Sequence, residues 1–370
     1  MLLSVAVFLH QLHWLAPAAL MFGTAPCFLM LWWPARACTA VLPRRFYRRV
    51  DDVFFSSYLR LLLFFFENCT GFEMHLYGNV EALLSTDELE NAVYISNHQS
   101  TVDWILGCSL ALRRGALGRC RYVVKDGLKH FPFYGFYLSQ HGTIFIKRGG
   151  KFQASKAENQ LRNMVQDNCP MWMVVFPEGT RFNPDIKEAI KKSRGYCGQQ
   201  GIPDMQHVLC PRTKATQVCL HELADYASCV YDVTFAYNNT YNPETGQRTA
   251  SPGMPDFLSG HTTKVHVYID KIPMKDVPTE ETEVTKWIND RFLRKEQLLS
   301  HFYSNEDQDK ASFPGEGKLV PLTLRSTVPS FLFWGGAFAA CMVFKDLRSI
   351  YWKTGAASLV VGFAWASTKS

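Results

Sequence analysis

The sequence predicts an α/β protein, with a mixed, mostly parallel sheet flanked by helices and with membrane helices at both ends of the chain. Two observations support this prediction. Between residues 67 and 327, short β-branched or aromatic runs alternate with polar helical stretches, which is the pattern of a sheet with helices packed on its faces. Apolar residues concentrate at the two ends of the 370-residue chain, and the chain is long enough for one or two domains.

The central region contains candidate strands and helices in alternation. The candidate strands are rich in β-branched and aromatic residues and lie at 92–96, 122–124, 143–147, 171–176, 232–237 and 264–270. The candidate helices lie at 102–113, 152–165 and 281–303. The last of them carries Val284, Ile288 and Phe292 near a period of 3.6 residues, so one of its faces is predicted to be buried.

The N-terminal segment predicts a membrane span. Residues 1–35 contain no Asp, Glu, Lys or Arg, and the apolar core at 14–33 is about as long as a bilayer-crossing helix. Trp32 and Trp33 end this run, and arginines cluster between residues 36 and 49. A positive flank is typical of the cytosolic side, so the central domain is predicted to face the cytosol. A cleaved signal peptide is the alternative, but the segment lacks a basic leading region.

Two more apolar segments complete the predicted division of the chain. Residues 53–66, interrupted by Arg60, predict an interfacial or re-entrant helix. Residues 328–344 and 354–367 predict a C-terminal membrane hairpin, with an amphipathic tail packed on the protein as the alternative. We therefore predict an N-terminal anchor at 1–66, a cytosol-facing domain at 67–327 and the hairpin at 328–370.

Charge and cysteine usage limit the classes of function. The net charge of +6 is too mild for a nucleic-acid partner, which needs a concentrated basic face, but it suits anionic membranes and phosphate-bearing ligands. The 11 cysteines are irregularly spaced, with no CxxC pair. They predict reduced thiols and neither a disulfide framework nor a metal site.

The first candidate site is a histidine and an aspartate between a strand and a helix. The predicted strand ends at Ser96 and the helix begins near Ser100, so His98 is expected on an exposed turn. Asp103 lies in the first helical turn, where its carboxylate can reach the imidazole, fix its tautomer and stabilise the imidazolium. A neutral histidine can take a proton from an alcohol. The alternative is a helix-capping role for Ser100 and Asp103.

The second candidate site is the segment FPEGTR at 176–181, which follows a predicted strand. Proline and glycine predict a tight turn at the strand end, where α/β proteins place ligands. Arg181 offers a planar fork that suits phosphate. Glu178 is expected to hold that fork or to receive a substrate hydroxyl, with a purely structural ion pair as the alternative.

Basic residues end two further predicted strands. Gly142 leads a strand that ends in Lys147 and Arg148, and Lys125 ends another. These cations are candidate phosphate contacts. A solvated basic strand end is the alternative interpretation.

Taken in this order, the motifs resemble those of the glycerolipid acyltransferase family, also called the lysophosphatidate acyltransferase superfamily. Its motif N-H-x4-D matches Asn97, His98 and Asp103; its motif G-x-x-F/Y-I-x-R matches Gly142, Phe145, Ile146 and Arg148; and its motif F-P-E-G-T-R matches every position of 176–181. A hydrophobic run ending at Pro211 fits the fourth motif only in part. The resemblance extends over the full chain.

The resemblance implies a reaction, its substrates and its site. The reaction is acyl transfer from acyl-CoA, a co-substrate, to the sn-2 hydroxyl of 1-acylglycerol 3-phosphate (lysophosphatidate), for phospholipid synthesis, with no further cofactor and no metal. His98 and Asp103 would be catalytic. The substrate-binding residues would be Lys125, Gly142, Lys147, Arg148, Glu178, Gly179, Thr180 and Arg181. Membrane lipids of the endoplasmic reticulum, mitochondrion or nuclear envelope would surround the terminal helices.

Three alternatives stay open at this point. Ser100 or a cysteine would serve as an acylated nucleophile in a covalent mechanism. Lysocardiolipin or another lysophospholipid would replace lysophosphatidate as the acceptor. A protein of another class would use an inactive acyltransferase fold to bind membrane lipid or to act as a scaffold.

Overall fold

The computed structural model describes residues 14–147, 153–261, 264–305, 307 and 309–369. An eight-stranded sheet and a separate two-stranded ribbon form its β structure. The strands are β1 (Glu73–Gly78), β2 (Ala92–Ser96), β3 (Cys120–Lys125), β4 (Ile144–Ile146), β5 (Trp172–Val175), β6 (Cys229–Tyr237), β7 (Tyr241–Asn242), β8 (Gln247–Arg248), β9 (Lys264–Pro273) and β10 (Lys318–Leu319). Strands β7 and β8 form the ribbon.

The large sheet has the order β10-β1-β9-β6-β2-β5-β3-β4. Strands β6, β2, β5, β3 and β4 run parallel to one another, while β9 is antiparallel to β6 and β10 to β1. The predicted mixed, mostly parallel sheet is therefore confirmed. Because these five neighbouring strands are parallel, their carboxyl ends share one edge of the sheet.

Helices cover both faces of the sheet. The α-helices are α1 (Leu15–Gly23), α2 (Ala25–Cys38), α3 (Arg44–Leu63), α4 (Val80–Leu84), α5 (Asp103–Arg114), α6 (Tyr134–His141), α7 (Ala154–Gln166), α8 (Lys187–Gln199), α9 (Thr213–Glu222), α10 (Met254–Leu258), α11 (Glu281–Tyr303), α12 (Val328–Val343) and α13 (Lys345–Thr368). Side chains of β2 alternate between the faces: Tyr94 packs with α3 and α5, and Val93 and Ile95 pack with α7, α9 and α11.

Residues 53–66, predicted as an interfacial or re-entrant helix, form the second half of α3 and a π-helical turn, Phe64–Asn68. Leu61, Leu63 and Phe66 of this segment are buried in the core on one face of the sheet. Val50 and Val53, on the other side of α3, are exposed. The helix is thus amphipathic and one of its faces belongs to the core, so any membrane contact is limited to the opposite face.

Within the described chain, Leu15–Cys38 alone is long and apolar enough to cross a membrane by itself, and α12 and α13 meet that criterion only together, with a bend of 109° between them. Helix α13 begins at Lys345, well before the expected start at residue 354, because the charged residues there continue the helix and do not break it. The Trp33 indole N–H donates to the Ser358 hydroxyl over 3.0 Å. The two ends of the chain therefore pack together, and the multi-pass arrangement stays a prediction.

Candidate active site

The loop between β2 and α5 is pinned to β6 by one buried amide. The Nδ2 of Asn97 donates to the carbonyl of Phe235 over 3.0 Å, and the N–H of Phe235 donates to Oδ1 of Asn97 over 2.8 Å. Asn97 is fully buried. This paired contact completes the backbone hydrogen bonds where β2 stops, and it fixes the start of the loop that carries His98.

His98 and Asp103 are in contact, as their spacing predicts. Nδ1 of His98 lies 2.7 Å from Oδ2 of Asp103. The same oxygen accepts the backbone N–H groups of Gln99 (2.6 Å) and Ser100 (2.8 Å), and the Tyr237 hydroxyl donates to Oδ1. Asp103 thus holds the loop before α5 and contacts the imidazole at the same time, and its catalytic role stays a prediction.

The imidazole of His98 is oriented to accept a proton at Nε2. Because a carboxylate accepts only, Nδ1 of His98 carries the hydrogen and Nε2 keeps its lone pair. Among the described residues Nε2 has no hydrogen-bond partner, and the His98 side chain is 21% exposed whereas that of Asp103 is 0% exposed. The His98 ring lies 4.7 Å from the ring of Phe176. A half-exposed base over a buried carboxylate is the arrangement of general-base catalysis.

Glu178 binds backbone amides, and its expected contact with Arg181 is not formed. Its two carboxyl oxygens accept the N–H groups of His98 (2.6 Å) and Leu209 (2.8 Å). Burial raises the pKa of Glu178 to about 8, although the two N–H donors act in the opposite direction. The side chain is buried and faces protein, so it ties the β5 loop to the His98 loop and is not placed to bind phosphate.

Glycines of the motifs shape turns. Gly142 is buried and ends α6 with φ at +108°, where an added Cβ would lie 3.0 Å from Sδ of Met164 and 3.2 Å from Cδ of Arg121. It has no face open to a substrate, which corrects the expectation of a substrate-binding role. Gly179 adopts φ at +67° in the exposed turn after β5, and Thr180 is half-buried beside it.

The candidate cations lie along the same sheet edge at different distances from His98. Lys125 ends β3, Lys147 follows β4 directly and Arg181 follows β5, and all of them are exposed. Strands are spaced by about 4.8 Å, so Arg181, after the strand next to β2, is nearest, and Lys147 is three strands away. Arg148 lies outside the described residues.

The surroundings of Ser100, Cys108 and Cys219 do not favour the covalent alternative. The Ser100 hydroxyl donates to the carbonyl of Pro252 and accepts the Val102 N–H at 3.1 Å, so it serves the loop. Burial raises the pKa values of Cys108 and Cys219 to about 12. A thiol with so high a pKa forms little of the reactive thiolate at neutral pH.

Sequence reasoning missed the contacts that reach the loop from β6 and from the ribbon. Tyr237, at the end of β6, bonds to Asp103, and Arg248 of β8 donates to Oε1 of Gln99 over 2.5 Å. No local pattern marks these residues, because they lie more than 130 positions along the chain from the loop. The predicted strand at 232–237 was the single available signal for Tyr237.

Comparisons with known proteins identify the family of the chain. The family described as Acyltransferase matches residues 76–219, and the one described as Acyltransferase C-terminus matches residues 256–334. The 1-acyl-sn-glycerol-3-phosphate acyltransferase epsilon of Mus musculus is 37% identical over 100% of both chains. The probable 1-acyl-sn-glycerol-3-phosphate acyltransferase 5 of Arabidopsis thaliana is 30% identical over 74% of this chain and 67% of its own.

A solved structure, the acyltransferase PlsC of Thermotoga maritima, shares 16% identity at a TM-score of 0.38, over 74% of this chain and 97% of its own. The identity of 37% to the mouse relative, over the full length of both chains, decides the family of this chain. The protein is an acyltransferase enzyme. The chain belongs to the 1-acyl-sn-glycerol-3-phosphate acyltransferase family, as its motifs predict.

Proposed function

We propose that this chain transfers a fatty acyl group from acyl-CoA to the sn-2 hydroxyl of 1-acylglycerol 3-phosphate, forming phosphatidate for phospholipid synthesis. The observation that carries the proposal is the contact of 2.7 Å between His98 and Asp103, which leaves Nε2 of His98 free at the carboxyl edge of the parallel strands. The mouse and Arabidopsis relatives, both named for 1-acyl-sn-glycerol 3-phosphate, support this acceptor.

The proposed reaction is a direct transfer. Nε2 of His98 takes the proton of the acceptor hydroxyl. The oxygen of that hydroxyl bonds at the same time to the carbonyl carbon of the thioester. The carbon–sulfur bond then breaks, and the proton passes from Nε2 to the departing thiolate of CoA. Asp103 stabilises the imidazolium that exists between these steps. General-base assistance of this kind accelerates a reaction by about 10² to 10⁴.

The remaining site residues divide into binding and positioning groups. Arg181, exposed next to the His98 loop, is proposed to hold the acceptor phosphate, because its planar fork matches phosphate oxygens. Lys125, Lys147 and Arg148 would supply further positive charge along the same edge. Glu178 would position the base, since it holds the backbone N–H of His98 at 2.6 Å.

We also propose that the enzyme works on a membrane, with its catalytic domain on the cytosolic side, in the endoplasmic reticulum, mitochondrion or nuclear envelope. The apolar helix pair Leu15–Cys38 and the arginines that follow it support this placement. Both proposed substrates carry acyl chains that partition into lipid. An enzyme held at the interface meets them there without extracting them into water.

The test is acyl transfer from labelled oleoyl-CoA to lysophosphatidate in membranes that contain equal amounts of wild type, His98→Ala or His221→Ala. His221 is the control, because its side chain is 73% exposed on α9, away from the site. We expect wild type and His221→Ala to form phosphatidate and His98→Ala to lose at least about 10²-fold.

Other outcomes would contradict parts of the proposal. Activity on lysocardiolipin or another lysophospholipid, without activity on lysophosphatidate, would replace the acceptor and keep the mechanism. Full activity of His98→Ala would exclude His98 as the base. Binding of lysophosphatidate without turnover by wild type would favour the lipid-binding alternative.

A further inference from the structure

The connection between β6 and α10 contacts the His98 loop on the side opposite to β5. It contains the β7–β8 ribbon and lies between the two regions, 76–219 and 256–334, that match the acyltransferase families. The carbonyl of Pro252 accepts the Ser100 hydroxyl, and the N–H of Met254 donates to Oγ1 of Thr101 over 3.1 Å. This connection therefore forms one wall of the candidate active site.

Arg248, in the ribbon, is a half-buried cation whose hydrogen-bond partners are neutral. Its Nη2 donates to Oε1 of Gln99 at 2.5 Å and its Nε donates to the carbonyl of Thr240 at 3.0 Å. Its guanidinium lies 3.7 Å from the ring centroid of Tyr303 and 5.3 Å from that of Phe182. Among the described residues no carboxylate lies within ion-pair distance of it. Burial lowers the pKa of Arg248 below its ordinary value, although Tyr303 and the carboxylate of Glu296 act in the opposite direction.

The partner of Arg248, Gln99, is fixed at three points. Its Oε1 accepts from Arg248, and its Nε2 donates to the carbonyl of Phe235 at 2.8 Å. Its backbone N–H donates to Oδ2 of Asp103 at 2.6 Å, the oxygen that also contacts Nδ1 of His98. The contacts from Arg248 to His98 thus form an unbroken series through a single side chain and a single carboxylate.

We propose that Arg248 is a positioning residue, which fixes Gln99 and thereby keeps the carboxylate of Asp103 aligned with the imidazole of His98. The proposal rests on the function proposed above, in which His98 is the base. Two of the three guanidinium nitrogens are committed to Gln99 and Thr240, and the third lies 3.4 Å from Nδ1 of His207. Two of its five N–H groups therefore hold protein groups in place, and we expect the loss of Arg248 to act on the reaction step.

The first experiment compares Arg248→Met with a matched control, Arg294→Met. Arg294 also stacks on a tyrosine, at 5.6 Å from the ring of Tyr268, but it lies on α11 and pairs with Asp270. A misplaced catalytic group loses up to about 10²-fold in rate, so we expect Arg248→Met to lose about tenfold in kcat. The KM values for oleoyl-CoA and lysophosphatidate should stay within about twofold of wild type. Arg294→Met should match wild type in both.

The second experiment tests whether Arg248 acts through Gln99. If both residues act through one contact, Gln99→Met combined with Arg248→Met loses no more than the more damaging single change. If the losses in kcat of the two single variants multiply in the double variant, Arg248 does not act through Gln99 and the proposal is overturned. A rise of KM for lysophosphatidate at constant kcat would overturn it as well, because Arg248 would then bind substrate. Arg248→Lys, which keeps the charge without the fork, provides the same comparison if the Met variant does not fold.

The third experiment needs no turnover, so it separates this proposal from the proposed function. Diethyl pyrocarbonate modifies neutral imidazoles, and its rate of reaction with His98 can be followed by peptide mass spectrometry. We expect Arg248→Met to change this rate several-fold and Arg294→Met to leave it at the wild-type value. Unchanged His98 reactivity in Arg248→Met would contradict the positioning role, even if the acceptor substrate proves to be another lipid.

Discussion

At the scale of single residues, the site depends on two buried carboxyl groups with opposite surroundings. Asp103 accepts from the N–H groups of Gln99 and Ser100, from the Tyr237 hydroxyl and from His98. Glu178 accepts only two backbone N–H groups, and burial dominates its protonation. The first carboxyl orients the imidazole of His98, and the second fixes the backbone of that residue.

The raised pKa of Glu178 predicts a pH dependence of stability. The folded protein keeps the proton on Glu178 up to about pH 8, whereas an unfolded chain releases it near pH 4.3. The contribution of this group to the unfolding free energy is therefore full below about pH 4 and is lost as the pH rises to about 8. Thermal unfolding in detergent should show that the midpoint of wild type falls more from pH 5 to pH 8.5 than that of Glu178→Gln.

A direct comparison decides this prediction. Glu178→Gln cannot titrate, so the difference between the two pH trends isolates the carboxyl group from all other titrating residues. Equal trends in wild type and variant would mean that Glu178 ionises at its ordinary pKa in the folded protein. A steeper fall of the unfolding midpoint with pH in Glu178→Gln than in wild type would contradict the predicted direction.

At the scale of elements, the motif that contains Gly142 is a helix end followed by a strand. Gly142 ends α6 with φ at +108° and lies against Met164 of α7 and Arg121 of β3. An alanine there would combine an unfavourable backbone conformation with contacts of 3.0 and 3.2 Å. The prediction that Gly142 precedes a strand is correct. A glycine is needed there because α6, α7 and β3 pack closely around it.

We predict that Gly142→Ala destabilises the protein by about 1–3 kcal/mol, measured as a lower midpoint of thermal unfolding in detergent. Gly127→Ala is the control, because an added Cβ at Gly127 meets nothing within 4 Å and its φ is not positive. Gly127→Ala should have the same midpoint of thermal unfolding as wild type. Equal stability of Gly142→Ala and Gly127→Ala would show that the turn after α6 relaxes freely.

At the scale of the whole molecule, the first and last helices join at one side of the α/β domain. Sγ of Cys27 in α2 lies 3.8 Å from Sγ of Cys341 in α12, and the Tyr351 hydroxyl donates to the carbonyl of Gly23 over 2.9 Å. Phe28 lies 5.7 Å from Trp334, between ring centroids. The apolar ends predicted as separate anchors thus form one packed unit, with exposed apolar side chains such as Leu332, Phe333 and Phe363 on its outer side.

This packing predicts a specific cross-link. A disulfide needs its sulfurs at about 2.05 Å, so a small movement would join Cys27 to Cys341. Mild oxidation of membranes, followed by peptide mass spectrometry, should join Cys27 and Cys341 to each other and neither of them to the exposed Cys38 or Cys69. A cross-link of Cys27 or Cys341 to Cys38 or Cys69 would contradict the packing of α2 on α12.

The sequence alone was sufficient for the parts of this protein that are local. His98 and Asp103 are five positions apart, across the end of a strand and the start of a helix, so strand and helix geometry already brings them together. The parallel sheet followed in the same way from alternating patterns. Strands β7, β8 and β10, of 2 residues each, were not predicted, because so brief a segment carries too little pattern, and β1 was not predicted either.

Tertiary structure decided the contacts between distant parts of the chain. Glu178 reaches His98 across 80 positions, Tyr237 reaches Asp103 across 134 and Arg248 reaches Gln99 across 149. The sheet order places β5 and β6 on the two sides of β2, and the ribbon that carries Arg248 follows β6. A local pattern can show that Glu178 sits in a turn, but not that its oxygens accept backbone N–H groups in place of Arg181. Burial and hydrogen bonding are properties of neighbours in space, so the support of the base was determined only by the folded chain.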